Sequence, residues 1–159
     1  MKSERVFVGL GANLGDATRA VRSAIEALSK LPRTRLVAAS SLYRSAPVDA
    51  AGPEYVNAVA ELQSSLEPSE LLLALQALEQ ESGRERPYRN APRTLDLDLL
   101  LVGQQQLSTP ELTLPHPRLH ERAFVLRPLL ELDPALAHPR LGPLGAFLRC
   151  TASQPIEKL

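Results

Sequence analysis

An α+β fold, with a mainly antiparallel sheet and helices packed on it, is predicted by the order in which two kinds of apolar spacing succeed one another along the chain. Alternating and helical periodicities come in the order strand, helix, strand, strand, helix, strand. That order is the one from which a mainly antiparallel sheet is expected. A chain of 159 residues with 44% hydrophobic content has enough material for one core, and a single domain over residues 1–159 is expected.

Each element has its own signal. Arg5 to Leu10 reads as a buried strand running into Gly9-Leu10-Gly11-Ala12-Asn13-Leu14-Gly15, where glycines suit a tight turn. Asp16 has the character of an N-cap. From Ala17 to Leu31 the apolar residues Ala20, Val21, Ala24, Ile25 and Leu28 recur at helical spacing until Pro32. Leu36 to Tyr43 is the second strand. Tyr55 to Gln63 is the third, with Tyr55, Asn57, Val59 and Glu61 on one face and Val56, Ala58, Ala60 and Leu62 on the other. Ser45 to Pro53, between them, is a loop of small residues and prolines.

Pro68 opens a second helix carrying Leu71, Leu72, Leu75, Leu78 and Glu79, and Gly83 stops it. Ser82 to Pro92 is a polar loop dense in arginine, and Arg93 to Val102 is the fourth strand. Prolines punctuate the chain from Pro110 to Pro143, with a helix expected from about Leu119 to Leu132 and a short one near Leu144 to Leu148. This order is that of the split βαβ, ferredoxin-like architecture, with the helices expected on one face of the sheet.

Composition narrows the function classes. Lysine plus arginine and aspartate plus glutamate number 18 each, so no global field draws in nucleic acid or an anionic membrane. Apolar runs such as Leu99 to Val102 are far short of the roughly 20 residues that span a bilayer, and the N-terminus has no secretory pattern. The lone Cys150 can neither close an internal disulfide nor build a thiolate cage; it reads as a small core residue in a reducing, cytoplasmic compartment.

The chemistry concentrates in Leu95-Asp96-Leu97-Asp98-Leu99. Strand alternation puts the two carboxylates on one face about 7 Å apart while the leucines enter the core. Like charges so placed repel, and hard magnesium ions, which take carboxylate, water and phosphate oxygens, relieve that repulsion. A strand edge open to water is the plain alternative. Arg84, Arg86, Arg89 and Arg93 precede the pair, and His116, Arg118, His120 and Arg122 come after it. Guanidinium forks suit phosphate oxygens, so a polyphosphate beside a metal-binding pair is the reading these flanks favour; a solvated loop with arginines paired to Glu79, Glu81 and Glu85 competes with it.

Other motifs fall away. The third glycine of Gly9-Leu10-Gly11 comes at Gly15, one residue late for a dinucleotide fingerprint, and no P-loop pattern occurs. His116 and His120 are four apart, but Pro117 disturbs a helix start there, which weighs against a zinc pair. A noncatalytic ligand-binding module, or another two-metal phosphotransferase or nuclease, stays open on the residues alone.

Pro92-Arg93-Thr94-Leu95-Asp96-Leu97-Asp98, with Leu114-Pro115-His116-Pro117 and Arg122-Ala123-Phe124 after it, resembles the signature of the 6-hydroxymethyl-7,8-dihydropterin pyrophosphokinase family. The glycine segment, Ser40 to Pro47 and Tyr55-Val56-Asn57-Ala58 resemble its other landmarks in order, from about Val6 to Leu132. The resemblance implies a monomeric ferredoxin-like enzyme that transfers pyrophosphate from ATP to hydroxymethyl-dihydropterin, releasing AMP and the pterin diphosphate, in folate synthesis. It implies two magnesium ions with ATP on Asp96 and Asp98, and Arg84 and Arg93 with them as catalytic residues. Gln76, Arg84, Arg86, Arg93, Leu99, Thr113, His116 and Arg122 would hold the nucleotide. Tyr55 and Phe124 would sandwich the pterin, Asn57 would bond its edge, and Val48 with the backbone of Ser45 would complete the pocket. The sequence departs from the family pattern in a shorter arginine loop without its tryptophan, where Tyr88 or Arg89 could stand in, in Glu111 near the adenine, and in Ala12 for a serine.

Overall fold

Strand β1 (Glu4–Ala12) is the centre of the fold, buried along most of its length and paired on both edges. The structure is a computed structural model, and it describes residues 2–13, 16–46, 54–83 and 95–159. After β1 come α1 (Ala17–Leu28), β2 (Thr34–Ala39), β3 (Tyr43–Ser45), β4 (Tyr55–Ser64), α2 (Pro68–Gly83), β5 (Asp96–Val102), α3 (Ala123–Leu132) and a C-terminal strand. Numbered in chain order, the two-residue strands β6 to β9 lie between β5 and that last strand, β10 (Ile156–Lys158).

The main sheet runs β10-β3-β4-β1-β5, with β2 also on β4, and all its pairings are antiparallel. This is the ferredoxin-like arrangement expected from the element order, extended by β10. Asp16 caps α1 as anticipated, its Oδ1 accepting the Arg19 N–H at 3.1 Å.

Alternation divides the core in two. Val6, Val8 and Leu10 of β1, Val56 to Leu62 at alternate positions of β4, and Leu95, Leu97 and Leu99 pack on one side with Val21 and Leu28 of α1 and Leu71 and Leu75 of α2. Phe7, Val59, Leu100 and Leu101 face the other side, against Leu126 and Leu129 of α3. The expectation of helices on one face therefore holds for α1 and α2 only; α3 covers part of the opposite face. A bulge makes this possible. Val8 pairs with Leu99 and Phe7 with Leu101, so Leu100 is an extra residue, and two consecutive leucines turn toward α3.

Three boundaries differ from expectation. The strand anticipated over Leu36 to Tyr43 is split into β2 and β3. At the break Ser40 Oγ takes the Val59 N–H at 2.9 Å, so a hydroxyl replaces a ladder carbonyl. The helix anticipated from Leu119 starts instead at Ala123, because Arg122 is extended, with φ −119° and ψ 118°. Gly9 and Gly11 lie inside β1 and not in a turn.

Cys150 also departs from expectation: it is exposed, in a short 3-10 turn over Arg149–Thr151. With three residues per turn only one side can point inward, and Thr151 takes that place. Tyr43 ties β3 to α3: its hydroxyl donates to Glu131 Oε1 at 2.5 Å, and Ser41 gives Glu131 Oε2 its N–H and hydroxyl at 2.9 and 3.0 Å.

Candidate active site

The face of the sheet toward α3 carries a bare strip. Gly11 pairs with Asn57 of β4 and Asp96 of β5, and Gly9 with Val59 and Asp98. Residues in register on one face share a side, so the side chains of Asn57 and Asp96 stand on either side of a residue that has none. The strip is the floor of a cavity of about 550 Å³. Its lining includes Ser45, Tyr55, Asn57, Asp96, Asp98, Arg122 and Phe124, together with Leu72, Leu75, Gln76 and Glu79 of α2 beside β5.

Most of the described residues that the sequence marks out meet here. Asp96 and Asp98 are half-buried on one face of β5, with Leu95, Leu97 and Leu99 in the core on the other. Glu79, on the helix face of Gln76 one turn on, accepts the Leu97 N–H at 2.8 Å and so ties α2 to β5. The sequence pattern places Glu79 only as a partner for the arginines; its spacing of three from Gln76 is the signal that puts it at the site.

Asn57 is 5% exposed and its orientation is set. The Ser45 hydroxyl donates to Asn57 Oδ1 at 2.5 Å, which turns the Nδ2 amide toward Gly11 and the cavity. The expectation for Ser45 concerns its backbone alone, and the structure gives its side chain this further part. Tyr55 pairs with Ser45 across β3 and β4 and is partly exposed to the cavity. Phe124 stands at the start of α3, with the Arg122 guanidinium 5.5 Å from its ring centre.

His116 is held beside β5 by its own N–H, which donates to the Leu100 carbonyl at 2.9 Å. Its Nδ1 accepts the Arg118 N–H at 3.2 Å, so the neutral ring carries its proton on Nε2. Burial lowers its pKa below the ordinary value; Asp98 opposes that shift, while Arg122 and Arg118 add to it. A neutral imidazole between a carboxylate and two guanidinium groups is a hydrogen-bond donor for an anion. His120 leaves the cation group: its ring packs edge-on to Phe147 and His138. Arg118 is exposed and pairs with Glu121 at 3.6 Å.

His116, Leu99 and Thr113 are not among the lining residues. The Leu99 side chain is 4% exposed in the core under α1 and α2, so its part can only be a main-chain one, and Thr113 is exposed on β7 (Thr113–Leu114). Arg84, Arg86, Arg93, Val48, Tyr88 and Arg89 lie outside the described residues.

Among the described residues no group of three or more histidine, cysteine, aspartate or glutamate side chains could hold a metal ion by itself. Two carboxylates facing an open cavity fit a hard divalent cation whose remaining ligands are water and phosphate oxygens.

Comparison with known proteins gives the family. A family model described as 7,8-dihydro-6-hydroxymethylpterin-pyrophosphokinase matches residues 7–134. A Pseudomonas aeruginosa 2-amino-4-hydroxy-6-hydroxymethyldihydropteridine pyrophosphokinase is 47% identical over 157 residues, covering 98% of this chain and 97% of that one. A Haemophilus influenzae protein of the same name is 42% identical, with 96% of each chain covered. A solved Plasmodium falciparum HPPK-DHPS structure superposes with a TM-score of 0.74 at 12% identity, over 93% of this chain. The chain spans 45% of that longer protein, and the likeness speaks for the fold alone.

Proposed function

This chain belongs to the 7,8-dihydro-6-hydroxymethylpterin-pyrophosphokinase family, and we propose that the cavity over its glycine strip is where pyrophosphate passes from ATP to the pterin. The enzyme is an ATP-dependent diphosphokinase of folate biosynthesis: it converts 6-hydroxymethyl-7,8-dihydropterin to its diphosphate and releases AMP. The observation that carries the assignment of the site is that Asp96 and Asp98 open onto the same cavity as Tyr55, Asn57 and Phe124.

In this reading Asp96 and Asp98 hold two magnesium ions with ATP. When bound, the metal neutralises phosphate charge and lowers the pKa of the pterin hydroxyl. The chain's own residues position the reactants. Arg122 and the Nε2–H of His116 take phosphate oxygens, a part that the sequence resemblance also gives to Arg84, Arg86 and Arg93, and Gln76, with the Leu99 main chain and Thr113, serves the nucleotide. Tyr55 and Phe124 flank the flat ring. Asn57, turned by Ser45, offers its Nδ2–H to an acceptor on the pterin edge, and the sequence resemblance assigns Val48 to the same pocket. Attack at the β-phosphorus asks for alignment and charge compensation, and no residue here is needed as a covalent carrier. Among the described residues no helix is long and apolar enough to cross a membrane. We place the enzyme in the cytoplasm as a monomer, a single domain over residues 1–159.

Product analysis tests the function. With MgATP and hydroxymethyl-dihydropterin the enzyme forms AMP, and without the pterin it does not. ADP as the product, or AMP at the same rate without pterin, contradicts the reading.

A further inference from the structure

We propose that Gln154, in the C-terminal segment beyond the residues matched by the family model, is a positioning residue for pyrophosphate transfer that acts through Arg122. The inference rests on the phosphate-binding role proposed for Arg122.

Helix α3 starts without a local cap. Arg122 occupies the cap position in an extended conformation, and its side chain makes no capping hydrogen bond. The Arg122 carbonyl is taken by the N–H groups of Val125 and Leu126 at 3.1 and 2.9 Å, but the Ala123 N–H, at the first helical position, has no acceptor within the helix. Gln154 provides one. Its Oε1 accepts the Ala123 N–H at 2.8 Å, and its Nε2 donates to the Glu121 carbonyl at 2.8 Å.

Glu121 and Ala123 are the two neighbours of Arg122, so one side-chain amide grips the backbone on both sides of that residue, as the N–H and C=O of one residue on an adjacent parallel strand would. The grip fixes the extended backbone from which the Arg122 side chain leaves, and the guanidinium settles 5.5 Å from the Phe124 ring on the cavity wall. Gln154 is itself held. Its N–H donates to the Thr151 carbonyl at 3.0 Å, Thr151 is 3% exposed, and two residues on Ile156 pairs with Ser45 on β3. The same tail thus contacts the backbone on both sides of Arg122 through Gln154 and pairs with Ser45, a cavity-lining residue, through β10. Only an amide of this length carries both a donor and an acceptor to the two groups. Glutamate lacks the donor and adds a charge beside Arg122; methionine has the length and neither function.

The test is a double-mutant cycle on nucleotide affinity, measured by titrating MgATP without pterin so that nothing turns over. Gln154→Met and Gln154→Glu should each weaken MgATP binding by about fivefold to tenfold, with kcat/KM for ATP falling in step. In an Arg122→Ala background either change should cost less than about twofold more, because the residue through which Gln154 acts is gone. Gln154→Glu keeps the Ala123 bond, so it remains a folded probe should Gln154→Met unfold. Affinity within about twofold of wild type in both variants overturns the proposal, and so does an equal loss with and without Arg122, which marks a general loosening of the fold. A wild-type enzyme that formed no pterin-dependent AMP would sink the functional reading itself, a result these variants do not affect.

Discussion

The Nδ2 of Asn57 stands 3.1 Å from the point where a β-carbon on Gly11 would sit. That separation is tighter than ordinary van der Waals contact, and Asn57 cannot simply swing away, because Ser45 holds its Oδ1. Gly11 has no positive φ, so its lack of a side chain serves space and not backbone conformation.

Gly11→Ala should therefore act on the pterin more than on folding. We expect KM for the pterin to rise about tenfold, with a loss of stability of about 1 kcal/mol, the low end for an inserted methyl. Gly9→Ala, whose β-carbon would meet Leu100 at an ordinary 3.5 Å, should be milder. Equal effects of the two substitutions on pterin KM would contradict the role given to the strip.

The tether between β3 and α3 should show in stability. Tyr43 is 4% exposed, and burial and its bond to Glu131 push its pKa up to about 12. Tyr43→Phe removes one of three hydrogen bonds to Glu131 and should cost about 1 to 2 kcal/mol in denaturant unfolding. A loss below about 0.3 kcal/mol would mean that Ser41 alone secures the carboxylate.

Two histidines set an acid limit. Burial is the main cause that holds His116 and His138 below the ordinary 6.5, helped at His138 by Arg140 and His120. With the folded pKa depressed, the unfolded chain takes up the proton first as pH falls. Their stabilisation is complete above 6.5 and is lost as pH drops through that value toward the folded ones. His138 Nδ1 accepts the N–H groups of Arg140 and Leu141 at 3.1 Å each, a task that an asparagine oxygen can take over. The fall in melting temperature from about pH 7.5 to 5 should be shallower in His138→Asn than in wild type. Identical slopes would remove His138 from the account.

Period and chemistry decide which features are legible in the sequence. The Leu95 to Leu99 alternation is a local signal, and it places both aspartates on one face and the leucines in the core. The bulge at Leu100 leaves no such mark, since consecutive leucines from 99 to 101 fit either register until Phe7 and α3 are in place. Gly9 and Gly11 read as a turn because glycine is ambiguous between turn and close approach; their spacing of two within an apolar strand is the cue that separates the two. Ser40 breaks a strand, and Gln154 caps a helix whose cap residue lies 32 positions earlier in the chain, by side-chain bonds that no periodicity records. His120 parts from His116 because Arg122, not Leu119, marks the helix start.

The central claim, that Asp96 and Asp98 hold the metal for pyrophosphate transfer, is met most directly by turnover of Asp98→Ala at saturating magnesium, read beside its melting temperature. We expect activity to fall by roughly a thousandfold or more while the melting temperature stays at or above that of wild type, since removing one of two like charges relieves repulsion and opens no core. Magnesium-dependent turnover within about tenfold of wild type in the folded variant would contradict the claim.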